Sequence, residues 1–227
     1  MREIVLDTET TGLDPLAGHR VVEVGCIELF NMVATGKTFH AYFNPEMMMP
    51  AGAEEVHGLT DDFLADKPLF AERIEELLAF IGDAQLVIHN AQFDIGFLNA
   101  ELERTKRPKL VNAYVDTVSV ARRKFPGQRV SLDALCERFG VDNSARTKHG
   151  ALLDAELLAE VYLELSGGRQ RDLGLAPELE GRGAAFLVVP HNRPVRPPRP
   201  HAPTPAELAA HAAFLKQLTD PMWLLAA

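Results

Sequence analysis

The sequence predicts an α/β protein: a mixed sheet, made of an antiparallel meander plus parallel strands, flanked by helices and followed by a flexible Pro-rich C-terminal tail with a short terminal helix. Three observations predict it. Strand-like apolar segments crowd into the first 43 residues. From Phe70 onward, helical periodicity alternates with a short apolar strand, which implies helices packed on a sheet. Eight of the fifteen prolines then fall between Pro177 and Pro205, where the composition changes abruptly.

Taken in order, residues 4–9, 20–30 and 37–43 read as strands, with turns at TTGLDPLAG and NMVATG. Phe70, Ile74, Leu77, Leu78 and Ile81 share one helix face, and Gly82 ends that helix. Residues 84–88 form a short, fully apolar strand, followed by a helix over 93–104. Further helices are expected over 118–124, 131–139 and 151–165. Ser166-Gly167-Gly168 closes the last of these. The stretch RPVRPPRPHAPTP carries arginine as its only fully charged residue and reads as an extended, polyproline-like tether. Beyond it, Thr204-Pro205-Ala206-Glu207 supplies an N-cap, a proline at the first helical position and a glutamate at the third. Leu208, Ala212 and Leu215 then recur at helical spacing.

At 227 residues, with 47% hydrophobic and 24% charged, the chain has room for one full domain and an appendage. No run approaches 18 apolar residues, so no transmembrane helix and no membrane partner are expected. The opening MREIVLDTET is a strand rather than a secretory signal. The only cysteines, Cys26 and Cys136, form no CxxC pair, which excludes a disulfide framework or zinc knuckle and makes the cytoplasm the expected compartment. Net charge is −9, concentrated in residues 1–165, where 16 Lys and Arg face 27 Asp and Glu; residues 166–227 hold 7 against 5. Such a domain does not grip duplex DNA through many phosphates. It touches nucleic acid briefly, at an end, or with the help of metal ions.

The chemistry-bearing residues support the last option. Asp7 and Glu9 stand two apart on an apolar strand, so both point to one face, where they repel unless a cation neutralises them. A solvent-facing strand end is the plain alternative. Thr10-Thr11-Gly12 adds hydroxyls and a backbone that can approach a bound group. Asp94 opens a helix just after a strand, where ligands of open α/β sheets gather, although the helix dipole alone would favour an acid there. Asp154 is harder to dismiss. It shares a helical stripe with Ala151, Leu158, Val161, Tyr162 and Leu165, and a buried carboxylate must be paired or bind a metal. His149 precedes that helix beside Gly150, placed to swing. Together, four hard oxygen donors suit two divalent ions, Mg²⁺ or Mn²⁺, which can clamp the attacking and leaving oxygens of a phosphodiester from about 3.5–4 Å apart. Histidine changes charge between about pH 5 and 8, so His149 suits the role of general base.

The set DTETTG, FDIGFLN and H-x₄-D resembles the DEDDh class of 3′–5′ exonucleases. VVEVGCIE, VHGLTDDF, VIHNAQFDIGF, SLDALCERF and RTKHGALLDAELLAEVYLEL follow in order over residues 1–165 and are similar to the proofreading epsilon subunits of bacterial DNA polymerase III. The resemblance implies an RNase H-like fold. It implies that Asp7, Glu9, Asp94 and Asp154 hold the metals, that His149 is the base, and that Thr10, Gly12, His57, Asn90 and Phe93 contact the 3′-terminal nucleotides. It also implies an exonuclease domain over 1–168, a linker over 169–203 and a polymerase-docking helix over 204–227. The expected partners are the 3′ end of single-stranded or frayed DNA, the polymerase III alpha subunit and a small accessory subunit. Leu208, Phe214, Leu215 and Trp223 are the expected docking contacts. Gln170, Leu173 and Leu175 resemble the pattern that docks on the sliding clamp, and plain tether is the alternative for them. The catalytic residues alone also fit an RNA-trimming exonuclease, against which the tether and helix speak. A noncatalytic replisome scaffold is the other alternative, against which the intact acidic set speaks.

Overall fold

The computed structural model describes residues 1–146, 148–168 and 202–219. The first strand, β1 (Arg2–Thr10), pairs antiparallel with β2 (Val21–Phe30), which pairs antiparallel with β3 (Val33–Tyr42). The meander is the expected one, but β3 starts at Val33 rather than at residue 37. The turn between β2 and β3 is only Asn31-Met32, with φ of 51° and 66°, as a tight two-residue hairpin requires. Residues 33–36 are exposed, so they carry no apolar alternation to announce a strand.

Two short helices follow that periodicity does not predict. Helix α1 (Ala51–His57) begins after Pro50 and stops at Gly58, and α2 (Asp61–Leu64) is capped by the Thr60 hydroxyl. Both are too short for an apolar stripe to register. Helix α3 (Phe70–Ile81) buries Phe70, Ile74, Leu77 and Ile81, as expected. Then come β4 (Gln85–Ile88), α4 (Ala91–Arg104), β5 (Tyr114–Asp116), α5 (Thr117–Lys124), α6 (Leu132–Phe139) and α7 (Ala151–Leu165). Strand β5 was not anticipated; it has three residues, and its Tyr114 is exposed. Ser131 caps α6 through its hydroxyl, and Asp116 caps α5 through its carboxylate.

The sheet order is β3-β2-β1-β4-β5, with β4 parallel to both β1 and β5. The central β1 therefore has an antiparallel neighbour on one side and a parallel one on the other. Its alternation divides the core. Ile4 and Leu6 join Ile74, Leu86, Phe97 and Leu98 under α3 and α4; Val5 joins Val87, Leu135, Leu158 and Val161 under α6 and α7. Each fully buried aliphatic side chain contributes about 1.5–3 kcal/mol, so both helical layers are firmly fixed. Asp7 and Glu9 continue the Val5 face and meet α7.

Two contacts set the helices that frame the carboxyl end of β1. Glu101 on α4 is buried and accepts from Arg20 Nε (2.7 Å) and Nη2 (3.0 Å) at the start of β2. Gly25, opposite Asp7 on β2, lies under the first turn of α7. A Cβ there would stand 2.3 Å from the Ala151 carbonyl carbon, so only glycine lets the helix come this close.

The chain divides into two compact units, residues 1–176 and 177–227. Within the second, α8 (Pro205–Leu215) has the expected capping box between Thr204 and Glu207, with Pro205 in its first turn. Leu208 and Phe214 are more than half exposed on it.

Candidate metal centre

Asp7 and Glu9 lie at the carboxyl end of β1, Asp94 lies in the first turn of α4 and Asp154 in the first turn of α7. The strand order thus gathers at one place four carboxylates from three segments that are far apart in sequence. They line an open cleft of about 290 Å³ with Thr8, His89, Phe93, Asp133, Arg146 and His149. Donor atoms of Glu9, His149 and Asp154 lie within 4.8 Å of one another, a grouping able to hold a metal ion. Asp94 and Asp154 are almost fully buried. Asp94 Oδ1 accepts from Thr8 Oγ1 at 2.7 Å, which fixes its direction.

The electrostatics mark the site as short of positive charge. Burial, then the neighbouring Asp94, Glu9 and Asp154, holds the Asp7 carboxyl well above the usual range. Burial and Asp154 push Glu9 up to about 8, and burial pushes Asp94 up to about 7. Carboxylates so placed either keep protons or attract a cation. An all-oxygen acidic set fits hard divalent ions such as Mg²⁺ or Mn²⁺.

One cation is already present, and the sequence reading did not foresee it. Arg146 forms a fork on Asp154, with Nε to Oδ1 at 2.5 Å and Nη2 to Oδ2 at 2.6 Å. It also reaches Asp133 Oδ1 (2.7 Å) and His149 Nδ1 (2.6 Å). Burial works against its charge, and the paired carboxylates more than reverse this, so the guanidinium stays protonated. His149 is consequently not free to swing. Its ring is held by Arg146, and its backbone N–H donates to the Val56 carbonyl. The only sequence signal was an arginine three residues before His149, and spacing alone does not reveal its target.

Of the other expected residues, Phe93 lines this cleft, while Thr10, Gly12, His57 and Asn90 are not among its lining. Thr10 Oγ1 donates to the Gly12 carbonyl at 2.6 Å, and the His19 ring lies against Gly12. His57 is buried at the end of α1. Its Nδ1 accepts from the Leu59 N–H, while Nε2 has no hydrogen-bond partner. Burial lowers its pKa, against an opposing pull from the Thr10 carbonyl. Asn90 precedes α4 in the left-handed conformation (φ 71°), which asparagine tolerates better than most residues. Phe93 packs on Phe97 and lines both the acidic cleft and an adjoining cleft that includes Leu13 and Leu16.

His89, not singled out by sequence, also lines the acidic cleft. Its Nδ1 lies 2.9 Å from Thr117 Oγ1, and that hydroxyl also stands within hydrogen-bond distance of the Ile88 carbonyl. The basic clusters outside the site are partly committed elsewhere: Arg107 pairs with Glu75, Lys109 with Glu103, and Lys124 bonds the Leu165 carbonyl. Leu208, Phe214 and Leu215 lie on α8 in the second unit. Gln170, Leu173, Leu175 and Trp223 fall outside the described residues.

An α/β sheet that gathers four carboxylates and a histidine at one strand end defines a class, and comparison with known proteins gives the same class. The family model described as "Exonuclease" matches residues 4–162, and the chain belongs to that family. The nuclease domain of 3′hExo, a DEDDh family member, superposes with a TM-score of 0.64 at 19% identity, covering 75% of this chain and 94% of that one. Exonuclease X gives 0.57 at 24% identity, covering 72% and 90%. Within the family the chain is a 3′–5′ exonuclease of the DNA polymerase III epsilon type. It is 49% identical over 223 residues to the epsilon subunit of Rickettsia felis, covering 96% of this chain and 97% of the relative. It is 46% identical over 228 residues to that of Escherichia coli, covering 94% and 92%.

Proposed function

We propose that this chain proofreads DNA for the replicative polymerase III, hydrolysing the last phosphodiester of a mispaired primer and releasing a nucleoside 5′-monophosphate. The observation that carries the reading is the convergence of Glu9, His149 and Asp154 at the end of β1. Asp7, Glu9, Asp94 and Asp154 would hold two divalent ions, Mg²⁺ or Mn²⁺. Ions held there would supply charge neutralisation at the phosphate and activation of a water.

The chain's own residues supply the rest. His149 takes the proton from the attacking water through a ring nitrogen, once that nitrogen is free. Phe93 offers an aromatic face to a terminal base, and stacking of this kind tolerates any base. Thr10, Gly12, His57 and Asn90 are the residues that, by the family resemblance, would position the terminal nucleotide. Selection of a mismatch comes mostly from fraying, since an unpaired end costs less to deliver as single strand.

The acidic surface gives little affinity for DNA, so tethering to the polymerase raises the local concentration instead. In this reading residues 1–168 are the nuclease, 169–203 the linker and 204–227 the segment that docks on the alpha subunit, through Leu208, Phe214, Leu215 and Trp223. Gln170, Leu173 and Leu175 would touch the sliding clamp weakly, and a small accessory subunit would be a further partner. The protein would work in the cytoplasm. The test is a Mn²⁺- and EDTA-controlled assay on a 3′-mismatched DNA primer, beside a matched primer and an RNA oligomer. Faster release from the mismatched DNA is expected. Preference for RNA, or activity in excess EDTA, would overturn the reading.

A further inference from the structure

We propose that Arg146 is a built-in counter-cation: with no divalent ion bound it holds both Asp154 and His149, and it releases both when ions enter. The inference rests on the reading of Asp154 as an ion ligand. In it Arg146 is a positioning residue, which acts through Asp154 and His149 rather than on the substrate.

Three features of the geometry carry it. First, the side chain of Arg146 is only 7% exposed, and all three of its guanidinium nitrogens are engaged with Asp154, Asp133 and His149. Both oxygens of Asp154 receive a guanidinium proton, so the fork occupies the very atoms an ion would use. Second, guanidinium donates and never accepts. At 2.6 Å from Nη2, His149 Nδ1 must therefore be the acceptor, and its lone pair is taken. The same nitrogen stands 3.2 Å from Asp154 Oδ2, so in this arrangement Nδ1 is enclosed by the fork and cannot reach a water. Third, Asp133 gives the guanidinium a second anchor. Its side chain is 56% exposed at the first turn of α6, at the rim of the cleft. Arg146 can leave Asp154 without being stranded as a buried, unpaired charge.

Ion entry and release of the base are then one exchange of cations. Were a divalent ion held by Asp154, the guanidinium would withdraw toward Asp133 and His149 Nδ1 would be freed in the same movement, so that the availability of His149 to a water would follow ion binding. A purely structural Arg–Asp pair predicts no such competition with metal.

The test uses the full chain and reads ion binding rather than turnover. Mn²⁺ titration calorimetry compares wild type with Arg146→Gln, Arg146→Lys and Asp154→Asn. Removing the competing cation should tighten Mn²⁺ binding in Arg146→Gln by about 5–100-fold, the usual range of coupling between linked sites. Arg146→Lys, which keeps the charge but loses the fork, should fall in between. In ¹⁵N-labelled wild type, the Arg146 Nε–H resonance, shifted downfield by Asp154, should lose that shift on saturation with Mg²⁺. Unchanged or weaker Mn²⁺ binding in a folded Arg146→Gln overturns the proposal, as does a retained Nε–H shift in Mg²⁺-saturated protein. Should Arg146→Gln fail to fold, Arg146→Lys and the wild-type spectrum decide. If wild type and Asp154→Asn both bind no Mn²⁺, the ion-site reading itself fails and takes this one with it.

Discussion

Asp154 sits on a helical stripe that otherwise buries Ala155, Leu158, Val161 and Tyr162, and the unfavourable burial of its charge is offset by Arg146. Substituting it probes ion binding directly. Asp154→Asn should abolish hydrolysis and Mn²⁺ binding together, as read by primer degradation and calorimetry. His149→Ala should separate the two, lowering the rate about 10²–10⁴-fold, the usual range for losing a general base, while leaving Mn²⁺ binding in place. The raised carboxyls give a pH effect with a defined sign. Glu9 moves from an ordinary 4.5 to about 8 and Asp94 from 3.8 to about 7 in the ion-free protein. Between these limits the folded chain holds protons that the unfolded chain has released. Their contribution to stability is therefore complete below about pH 4 and lost as pH rises through about 8. EDTA-treated protein should melt at progressively lower temperature across that window, and Mg²⁺ should remove most of the decline. A melting temperature that rises over the same window would contradict the assigned burial of these groups.

At the scale of elements, legibility followed length and periodicity. Helices α3 and α7 announced themselves because a core-facing stripe must repeat every three or four residues, and β1 because its faces alternate. Strand β5 and helices α1 and α2 were missed, since three, seven and four residues are too few to display a period. The first turn of β3 was missed because its residues are exposed at the sheet edge. Of the cleft's lining, the four acids, Phe93 and His149 are legible in the sequence. Arg146 and His89 escaped, because their roles depend on what the fold brings near them. Gly25 shows an element fixing a site it does not belong to. Gly25→Ala should force α7 off β2, costing about 1–3 kcal/mol by overpacking and lowering activity through the displaced Asp154. Thermal melting and the primer assay check it; full activity at reduced stability would mean that α7 tilts without moving the carboxylate. On α8, Thr204→Ala removes one half of the capping box and should cost about 1 kcal/mol of helix stability. Weaker capture of the alpha subunit with unchanged nuclease rate is the expected result.

For the whole molecule, two compact units predict separable activities. A chain ending at residue 176 should degrade a free oligonucleotide at nearly the full rate, yet fail to co-purify with the alpha subunit. Persistent co-purification would move the polymerase contact onto the nuclease unit. The sheet order has a further consequence, for the time course of folding rather than for the finished site. Strand β1 is synthesised first, but its parallel partner β4 arrives only after the whole meander and α3 are made, and α7, which covers Asp7 and Glu9, is the last element of the nuclease unit. Contacts this distant in sequence close slowly and late. A nascent chain still lacking α7 carries Asp7, Glu9 and Asp94 without Asp154, and so cannot assemble the cleft. The nuclease centre is thus complete only once the last helix of its domain has been made, with residues 166–227 still to follow, so that one late element turns an inert growing chain into a nuclease.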